Sequence, residues 1–274
     1  MPDGTALGAF LRWHRHRLSP RDVGLPDHGR RRVPGLRREE VAMLARISNE
    51  YYIRIEQGRE RSPSVAVLDA LAEALQLDSG QAKHLLALAR PRSRTAVARH
   101  TRAPEGAVRL IDQLALPAVL LSRYMDVLAA NDAAQELFPN MLPGTNRIRS
   151  SFLDPREWEF WRDWEQAAAD SVAQLRTDLG GDVESSPVRS LIAELQQHSH
   201  VFRQLWSRQD VQQHALTPVR LRHPDAGDLE LHREKFIVAG TDGIVLYIYY
   251  ADARSMSAQQ LDALPHRVQL RAGR

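Results

Sequence analysis

Polar side chains of the kind that hydrogen-bond to the edges of DNA bases follow one another from Ser48 to Tyr51, with Arg54 one turn later. Asn49 can pair with adenine and Arg54 with guanine or phosphate, whereas Glu50 can accept from a cytosine amino group or simply hold an arginine. Tyr51 can touch a phosphate or a thymine methyl group. Since Ser48 is a good helix N-cap, we predict a helix that presents these groups.

The surrounding stretch, Leu36–Gly58, supplies the elements that such a helix needs. Two short helices are predicted, the first with a small-residue apolar face formed by Val41, Ala42, Leu44 and Ala45. In the second, Tyr52 and Ile55 are spaced to point inward. Gly58 then ends the helix as a C-cap would. Crossed helices of this kind form a helix-turn-helix, in which the second helix enters the DNA major groove.

A basic segment precedes this pair of helices. Nine arginines lie between Arg12 and Arg38, against Asp22 and Asp27. The run Arg30-Arg31-Arg32 lies in an irregular stretch rich in proline and glycine, and we expect it to follow phosphates or enter a minor groove. A solvated loop that tolerates charge is the alternative. Arg37 and Arg38, which begin the first helix, are expected to contact phosphates and so position the protein without reading sequence.

The helix-turn-helix stretch resembles the Cro/repressor-type (XRE) motif. The wider sequence from Leu7 through Leu88, including the insert DVGLPDHGRRRVPGLRREEVA, is similar to the MmyB-like subgroup of bacterial transcription regulators. In the second half, the segments PAVLLSRYMDVLAANDAAQELF, SFLDPREWEFWRDW, LIAELQQHSHVFRQLW and LRHPDAGDLEL carry the same resemblance. It implies an MltR-type, PAS-like ligand-binding domain, of a kind in which a fatty acid is seen in a relative.

The predicted architecture has two domains. A five-helix, all-α Cro/repressor-type domain occupies residues 1–90, with its first helix expected at Ala6–Arg17 and its fifth at Ser79–Ala89. A proline-bounded linker occupies residues 91–104. Residues 105–274 form an α+β PAS-like domain for ligand binding or dimerisation. In this second domain we expect a five-stranded antiparallel sheet with helices on one face, one of them capped by Asn131. Its strands are expected at Pro117–Leu121, Met125–Ala129, Ala215–Leu221, Leu229–Val238 and Ile244–Tyr250.

Charge is distributed unevenly between the two halves. Residues 1–100 hold 18 Lys and Arg against 11 Asp and Glu, a net charge of +7, whereas the whole chain has a net charge of +3. A basic first half fits a nucleic-acid partner. The chain has no cysteine, which excludes disulfides and Cys-ligated zinc fingers. With no long apolar run and no signal-peptide pattern, we expect no membrane partner and a cytoplasmic location.

Catalytic and metal-binding motifs are missing from the sequence. There is no GxSxG, no HExxH and no phosphate-binding glycine loop. His198 and His200 flank a serine, and a spacing of two residues places them on different sides of a helix, which suits a metal badly. His223, before Pro224, is interpreted as structural. We therefore predict no catalytic residue, no metal site and no enzyme activity, and no cofactor other than a fatty-acid-like effector.

The second half is rich in large aromatic residues, which either fill a core or line a ligand pocket. An arginine there could hold a carboxylate. The candidate ligand-binding residues are Arg123, Arg147, Trp158, Trp161, Phe202 and Trp206.

These patterns together predict a sequence-specific transcriptional regulator. Its partners would be double-stranded DNA, a small apolar ligand and a second copy of the chain, since one such motif reads few base pairs. The alternative is an antitoxin-like, protein-interacting DNA-binding module without a small-molecule ligand. A third hypothesis is an enzyme of unrecognised type, which a buried histidine–carboxylate pair in a cleft would support.

Overall fold

The computed structural model describes residues 5–26, 35–60, 62–89, 102–184, 186–211 and 218–264. The chain divides into two compact units. The first comprises Met1–Ser93, Leu179–Arg189 and Trp206–Gln213, and the second comprises Arg94–Asp178, Ser190–Leu205 and His214–Arg274. Among the described residues, every helix is too short or too polar to cross a lipid bilayer.

Five α-helices of the first unit come from the N-terminal part of the chain. They are α1 (Ala6–Arg17), α2 (Arg38–Leu44), α3 (Asn49–Glu56), α4 (Val65–Ala74) and α5 (Ser79–Ala89). Short 3-10 helices occur at Pro20–Val23 and Gly180–Glu184. The five-helix expectation is confirmed, and the predicted ranges of α1 and α5 match residue for residue.

One apolar core holds these helices together. Phe10, Leu11, Tyr52, Leu68 and Leu85 are fully buried in it. Burying a side chain of this size stabilises a fold by roughly 1.5–3 kcal/mol. Partly buried residues from the later stretches of the same unit also pack against the core; they include Val183 and Val211.

The first and third helices approach each other closely because Gly8 has no side chain. A Cβ atom at this position would collide with the backbone carbonyl of Glu56. This contact could not be predicted from the sequence, since a glycine inside a helix carries no periodic signal of its own.

The later helices are α6 (Glu105–Ile111), α7 (Asp132–Leu137), α8 (Arg147–Leu153), α9 (Pro155–Phe160), α10 (Trp164–Leu179), α11 (Ser186–His198), α12 (His200–Ser207) and α13 (Met256–Asp262). The aromatic-rich stretch from Arg147 to Leu179 forms three of these helices. Asp154 accepts a hydrogen bond from the Arg156 amide at 3.0 Å and starts α9 before Pro155. Farther on, Trp161 forms a single antiparallel bridge with Leu221, which interrupts the helical pattern.

Five antiparallel strands form the sheet of the second unit. They are β1 (Ala118–Leu121), β2 (Val127–Ala130), β3 (Val219–His223), β4 (Gly227–Ile237) and β5 (Val245–Tyr250), arranged in the order β2-β1-β5-β4-β3. The first two strands thus join the last three through the β1–β5 pair, with Leu120 opposite Leu246. The predicted five-stranded antiparallel sheet with helices is confirmed.

Both faces of this sheet are covered, which corrects the expectation of helices on one face. Ile111 of α6 packs with Leu120 and Leu246 on one face. Their neighbours Leu121 and Tyr247 point to the other face, because side chains alternate along a strand.

Asn131 fastens α6 and β1 to the start of α7. Its Oδ1 accepts from the Ala134 amide and from the Ala118 amide, both at 3.0 Å. Its Nδ2 donates to three backbone carbonyls at 2.9–3.1 Å, those of Ile111, Leu114 and Leu116. The sequence identified Asn131 as a cap, whereas these further bonds make it a buried joint of the unit.

Candidate DNA interface and ligand cavity

The predicted helix-turn-helix is formed by α2 and α3. The Ser48 hydroxyl accepts a hydrogen bond from the Tyr51 amide at 3.1 Å, so Ser48 is the N-cap of α3. Gly58, with φ +72°, follows the end of the helix in the left-handed region that glycine tolerates. In α2, Val41, Ala42 and Ala45 are buried at the contact.

Helix α3 separates its residues by face. Tyr52 and Ile55 are fully buried, as predicted, and anchor the helix in the core. Ser48, Glu50 and Arg54 are exposed, while Asn49 and Tyr51 are half-buried. Among the described residues, Asn49 Oδ1 has no hydrogen-bond partner although it is shielded from water. The exposed face therefore carries the donors and acceptors that base recognition uses.

Glu56, at the end of α3, is a site residue that the sequence interpretation missed. Its carboxylate is fully buried and bound by arginines from two other helices. Arg15 Nε donates to Oε2 at 3.0 Å, and Arg38 donates to Oε1 from Nη2 at 2.8 Å and from Nε at 2.9 Å. Arg12 Nε lies 3.6 Å from Oε1. The signal was present, because position 56 is four residues after Tyr52 and so shares its inward face.

The charge on Glu56 is set by these arginines. Burial alone would raise the pKa of Glu56, but hydrogen bonds from Arg38 and Arg15 and their positive charges hold it below its ordinary value. The cluster thus joins α1, α2 and α3 through one ionised carboxylate and fixes the position of the exposed face of α3.

The arginines expected to contact phosphates have different surroundings. Arg38 is bound to Glu56 and keeps 44% of its side chain exposed. The Arg37 amide donates to Glu40 at 2.6 Å, and its guanidinium lies 3.3 Å from Glu39. Arg54 donates to Glu60 at 2.9 Å. Arg30, Arg31 and Arg32 lie outside the described residues.

A small cavity in the second unit contains two of the predicted ligand-binding residues, Arg147 and Trp161. Its volume is about 90 Å³, and apolar side chains line one side, among them Leu121, Met125 and Met141. The Arg147 guanidinium carbon lies 5.0 Å from the centre of the Trp161 ring. Glu157 contacts both residues: its Oε2 lies 2.8 Å from Arg147 Nη1 and accepts a hydrogen bond from Trp161 Nε1 at 2.8 Å.

Arg233 is a cavity residue that the sequence interpretation missed. It shares the inward face of β4 with Leu229 and Leu231, which are buried. Burying a cation on such a face costs free energy unless the charge has a partner. An arginine at this position of the strand was therefore the sequence signal that could have identified a site residue. Its guanidinium carbon lies 5.2 Å from the centre of the Tyr247 ring, and among the described residues no carboxylate lies within 4.0 Å of it.

Both cavity arginines act on the same tyrosine. Burial raises the pKa of Tyr249, and the charges of Arg233 and then Arg147 oppose that rise. The cavity also has carboxylates: Asp163 lies 3.5 Å from Arg220, and Asp170 accepts from Gln166 at 2.8 Å. The arrangement can hold a small anion between Arg147 and Arg233, beside apolar walls.

The other predicted ligand-binding residues lie elsewhere. Arg123 donates to Asp242 at 3.2 Å and to the Asp178 carbonyl at 3.1 Å. Phe202 is fully buried against Phe152, with 5.1 Å between ring centres. Trp158 lines a separate groove, and Trp206 lies in the first compact unit.

Histidines and carboxylates form no cluster of three or more that could hold a metal ion in the part of the chain that the structure describes. His223 has a structural set of contacts. Its Nδ1 accepts from the Asp225 and Ala226 amides at 3.1 and 3.0 Å, so Nε2 carries the proton and donates to the Glu136 carbonyl at 3.0 Å.

Comparison with known families agrees with both units. Residues 6–86 match the family described as a helix-turn-helix domain, and residues 103–264 match the MmyB-like transcription regulator ligand binding domain. Among curated proteins, none has a sequence that matches the chain. Both descriptions are of transcription-regulator modules rather than of enzymes. Since the second match covers more than half of the chain, this protein belongs to the MmyB-like transcription regulators, with a helix-turn-helix DNA-binding domain and a ligand-binding domain.

Proposed function

We propose that this regulator binds a specific operator as a homodimer and that a small apolar carboxylate, such as a fatty acid, changes its affinity for that operator. The observation that carries the proposal is the division of α3 into an anchored face and an exposed face. Tyr52, Ile55 and Glu56 hold the helix, while Asn49, Glu50 and Arg54 remain outward or at its edge.

On the DNA side, Asn49 and Arg54 would read base edges. Glu50 would accept from cytosine or orient a neighbouring arginine. Ser48 and Tyr51 would contact the sugar–phosphate backbone of the DNA beside these bases. Arg37, Arg38 and the run Arg30–Arg32 would neutralise phosphates, which contributes affinity without sequence preference.

A dimer follows from the small footprint of one recognition helix. Two copies would place their α3 helices in successive major grooves, about 34 Å apart. The operator would then contain two half-sites with centres one helical turn apart.

On the ligand side, Arg147 and Arg233 would hold the carboxylate. The cavity volume of about 90 Å³ corresponds to roughly three water molecules at ~30 Å³ each. The cavity therefore suits the carboxylate and the first carbons of an apolar acid, and a longer chain would extend out of it. The ligand would control DNA binding by the difference in its affinity for two arrangements of the protein.

DNA binding by the full chain tests the first part of the proposal. Fragments from around its own gene are titrated with protein at increasing salt, with unrelated duplex as competitor. We expect selective binding that Asn49→Ala and Arg54→Ala each weaken by about 1–3 kcal/mol. Arg109→Ala is a matched control, because it removes one arginine that is 74% exposed in the second unit. Salt-sensitive binding that ignores both sequence and these variants would contradict base reading by α3.

Calorimetric titration with dodecanoate tests the ligand side. Arg147→Gln and Arg233→Gln should each weaken binding by about tenfold, the loss of one charge-assisted hydrogen bond. Arg222→Gln is the control, since Arg222 is 66% exposed and lies outside the cavity. Equal affinity in all four proteins would exclude this cavity as the carboxylate site. A stoichiometric protein partner that co-purifies, without dodecanoate binding, would favour the protein-interaction alternative.

A further inference from the structure

A second opening in the second unit has a different character from the arginine cavity. This aromatic groove has a volume of about 590 Å³ and is lined by Phe152, Leu153, Trp158, Trp164 and the segment His198–Val201. None of these residues lines the arginine cavity. Small-molecule sites typically have volumes of roughly 300–1,000 Å³, so the groove has the size of a binding site.

One wall of the aromatic groove is a pair of tryptophans. Trp158 is 47% exposed, and its ring centre lies 5.7 Å from that of Trp164. Trp164 is held from below, because its Nε1 donates to the Ser151 carbonyl at 3.1 Å and its ring lies 6.2 Å from Phe152. Because the two ring planes are tilted by 58°, a flat ligand can stack on one ring and meet the other edge to face.

Two histidines that the sequence interpretation had placed on different sides of a helix also line this groove. The helix is interrupted at Ser199, whose hydroxyl caps α12 by accepting from the Phe202 amide at 3.2 Å. His198 therefore ends α11 and His200 begins α12, and both line the same groove. Local capping at Ser199 thus places both histidines at this groove.

The polar groups of the aromatic groove favour an anion. Among the described residues that line it, none is a carboxylate, and the ionisable groups are the two imidazoles. Glu194, whose pKa is lowered by Arg149 and by the charge of His198, is already bound by Arg149 at 2.7 and 2.8 Å. The imidazoles can thus donate hydrogen bonds to a ligand.

We propose that the aromatic groove is a second ligand site, which takes a small aromatic anion. The ring of the ligand packs on Trp158 and Trp164, and its carboxylate or sulfonate accepts hydrogen bonds from His198 and His200. The proposal concerns a site separate from the arginine cavity, so it holds whether or not that cavity binds a fatty acid.

Titration of the full chain with 2-naphthoate, followed by calorimetry and by quenching of tryptophan fluorescence, tests the proposal. We expect one molecule to bind in the groove, and Trp158→Ala to weaken binding about tenfold. Trp158→Phe should retain part of the affinity because it keeps an aromatic ring. Phe236→Ala is the matched control, since Phe236 is 51% exposed in the same unit and does not line the groove.

A charged and an uncharged compound together test whether His198 and His200 recognise the anionic group. Replacing both His198 and His200 with alanine should weaken 2-naphthoate by several-fold but leave the uncharged 2-naphthamide nearly unchanged. Equal losses for the two compounds would overturn anion recognition by the histidines. Binding that Arg147→Gln abolishes and Trp158→Ala spares would assign the compound to the arginine cavity and overturn the second site, as would no binding to a folded protein.

Discussion

The two units each bury a glutamate beside arginine, but they use the pair differently. Glu56 of the first unit is bound by Arg15 and Arg38 and approached by Arg12, so its charge is fully engaged between helices. Glu157 of the second unit meets one arginine, Arg147, at the wall of a cavity. Burial alone therefore does not define the role of a glutamate. Glu56 and its arginines position a helix, whereas Glu157 leaves Arg147 at the wall of a cavity, within reach of a ligand.

The largest effect that this comparison predicts comes from Glu56→Ala. Removing the carboxylate leaves the buried charge of Arg15 without its counter-ion, which costs about 3–5 kcal/mol. Urea denaturation with hydrogen exchange of the α3 amides should show this loss together with weaker DNA binding. Glu60→Ala is the control, because Glu60 binds an exposed arginine and should cost under about 1 kcal/mol. Equal losses for the two variants would contradict the positioning role of Glu56.

The next largest effect is a change of folding stability with pH that comes from His14. Unlike Glu56, this buried group is uncharged in the folded protein. Burial, and then the charge of Arg17, lowers the pKa of His14 to about 4 from the ordinary 6.5. The unfolded chain therefore binds a proton that the folded chain refuses, so stability falls as pH drops from 6.5 to 4, by about 3 kcal/mol in total.

His14→Phe, which keeps an aromatic ring beside Phe10, should flatten most of this pH dependence in denaturation curves recorded at pH 7, 5.5 and 4. A smaller slope should remain, because burial and Arg15 also lower the pKa of His16. A slope unchanged by the substitution would show that His14 is not the titrating group.

Two helix caps extend the contrast between the units. Ser48 makes an exposed cap bond, whereas Asn131 is buried and also bonds to β1 and to the end of α6. Asn131→Ala should therefore cost roughly 2–3 kcal/mol and Ser48→Ala about 1 kcal/mol. Thermal unfolding of the two variants against the wild type measures the difference, and equal costs would contradict the joint role of Asn131.

A smaller loss of stability than that of Asn131→Ala, together with a gain in ligand binding, is expected from Glu157→Gln. It keeps an oxygen that can accept from Trp161 but removes the charge beside Arg147, at a cost of about 1.5 kcal/mol in stability. Dodecanoate affinity should rise several-fold, because Arg147 no longer has a competing carboxylate. Glu159→Gln, on the exposed side of the same helix, should change neither quantity. A fall in affinity would mean that Glu157 orders the site rather than competing with the ligand.

The sequence predicted local features better than contacts between distant residues. The bounds of α1 and α5, the caps at Ser48 and Asn131 and the inward faces of Tyr52 and Ile55 all follow from spacing and residue type. The five-stranded sheet followed from the strand patterns, two before a long helical interval and three after it, and the resemblance agreed with it.

What the sequence did not predict depends on which elements meet. Glu56 acquires its arginines from α1 and α2, and Arg233 acquires its aromatic neighbour from the strand paired with its own. Arg123 was a reasonable carboxylate ligand by type, but Asp242, far along the chain, occupies it. His198 and His200 line one groove because α11 ends and α12 begins between them.

Sequence reading by α3 can be tested by selecting bound duplexes from a random pool with the full chain and with Asn49→Ala. We expect the wild type to enrich a motif with two half-sites about 10–10.5 base pairs apart. Asn49→Ala should lose its base preference at one position in each half-site. The same motif recovered by both proteins, or no motif from the wild type, would contradict sequence reading by α3.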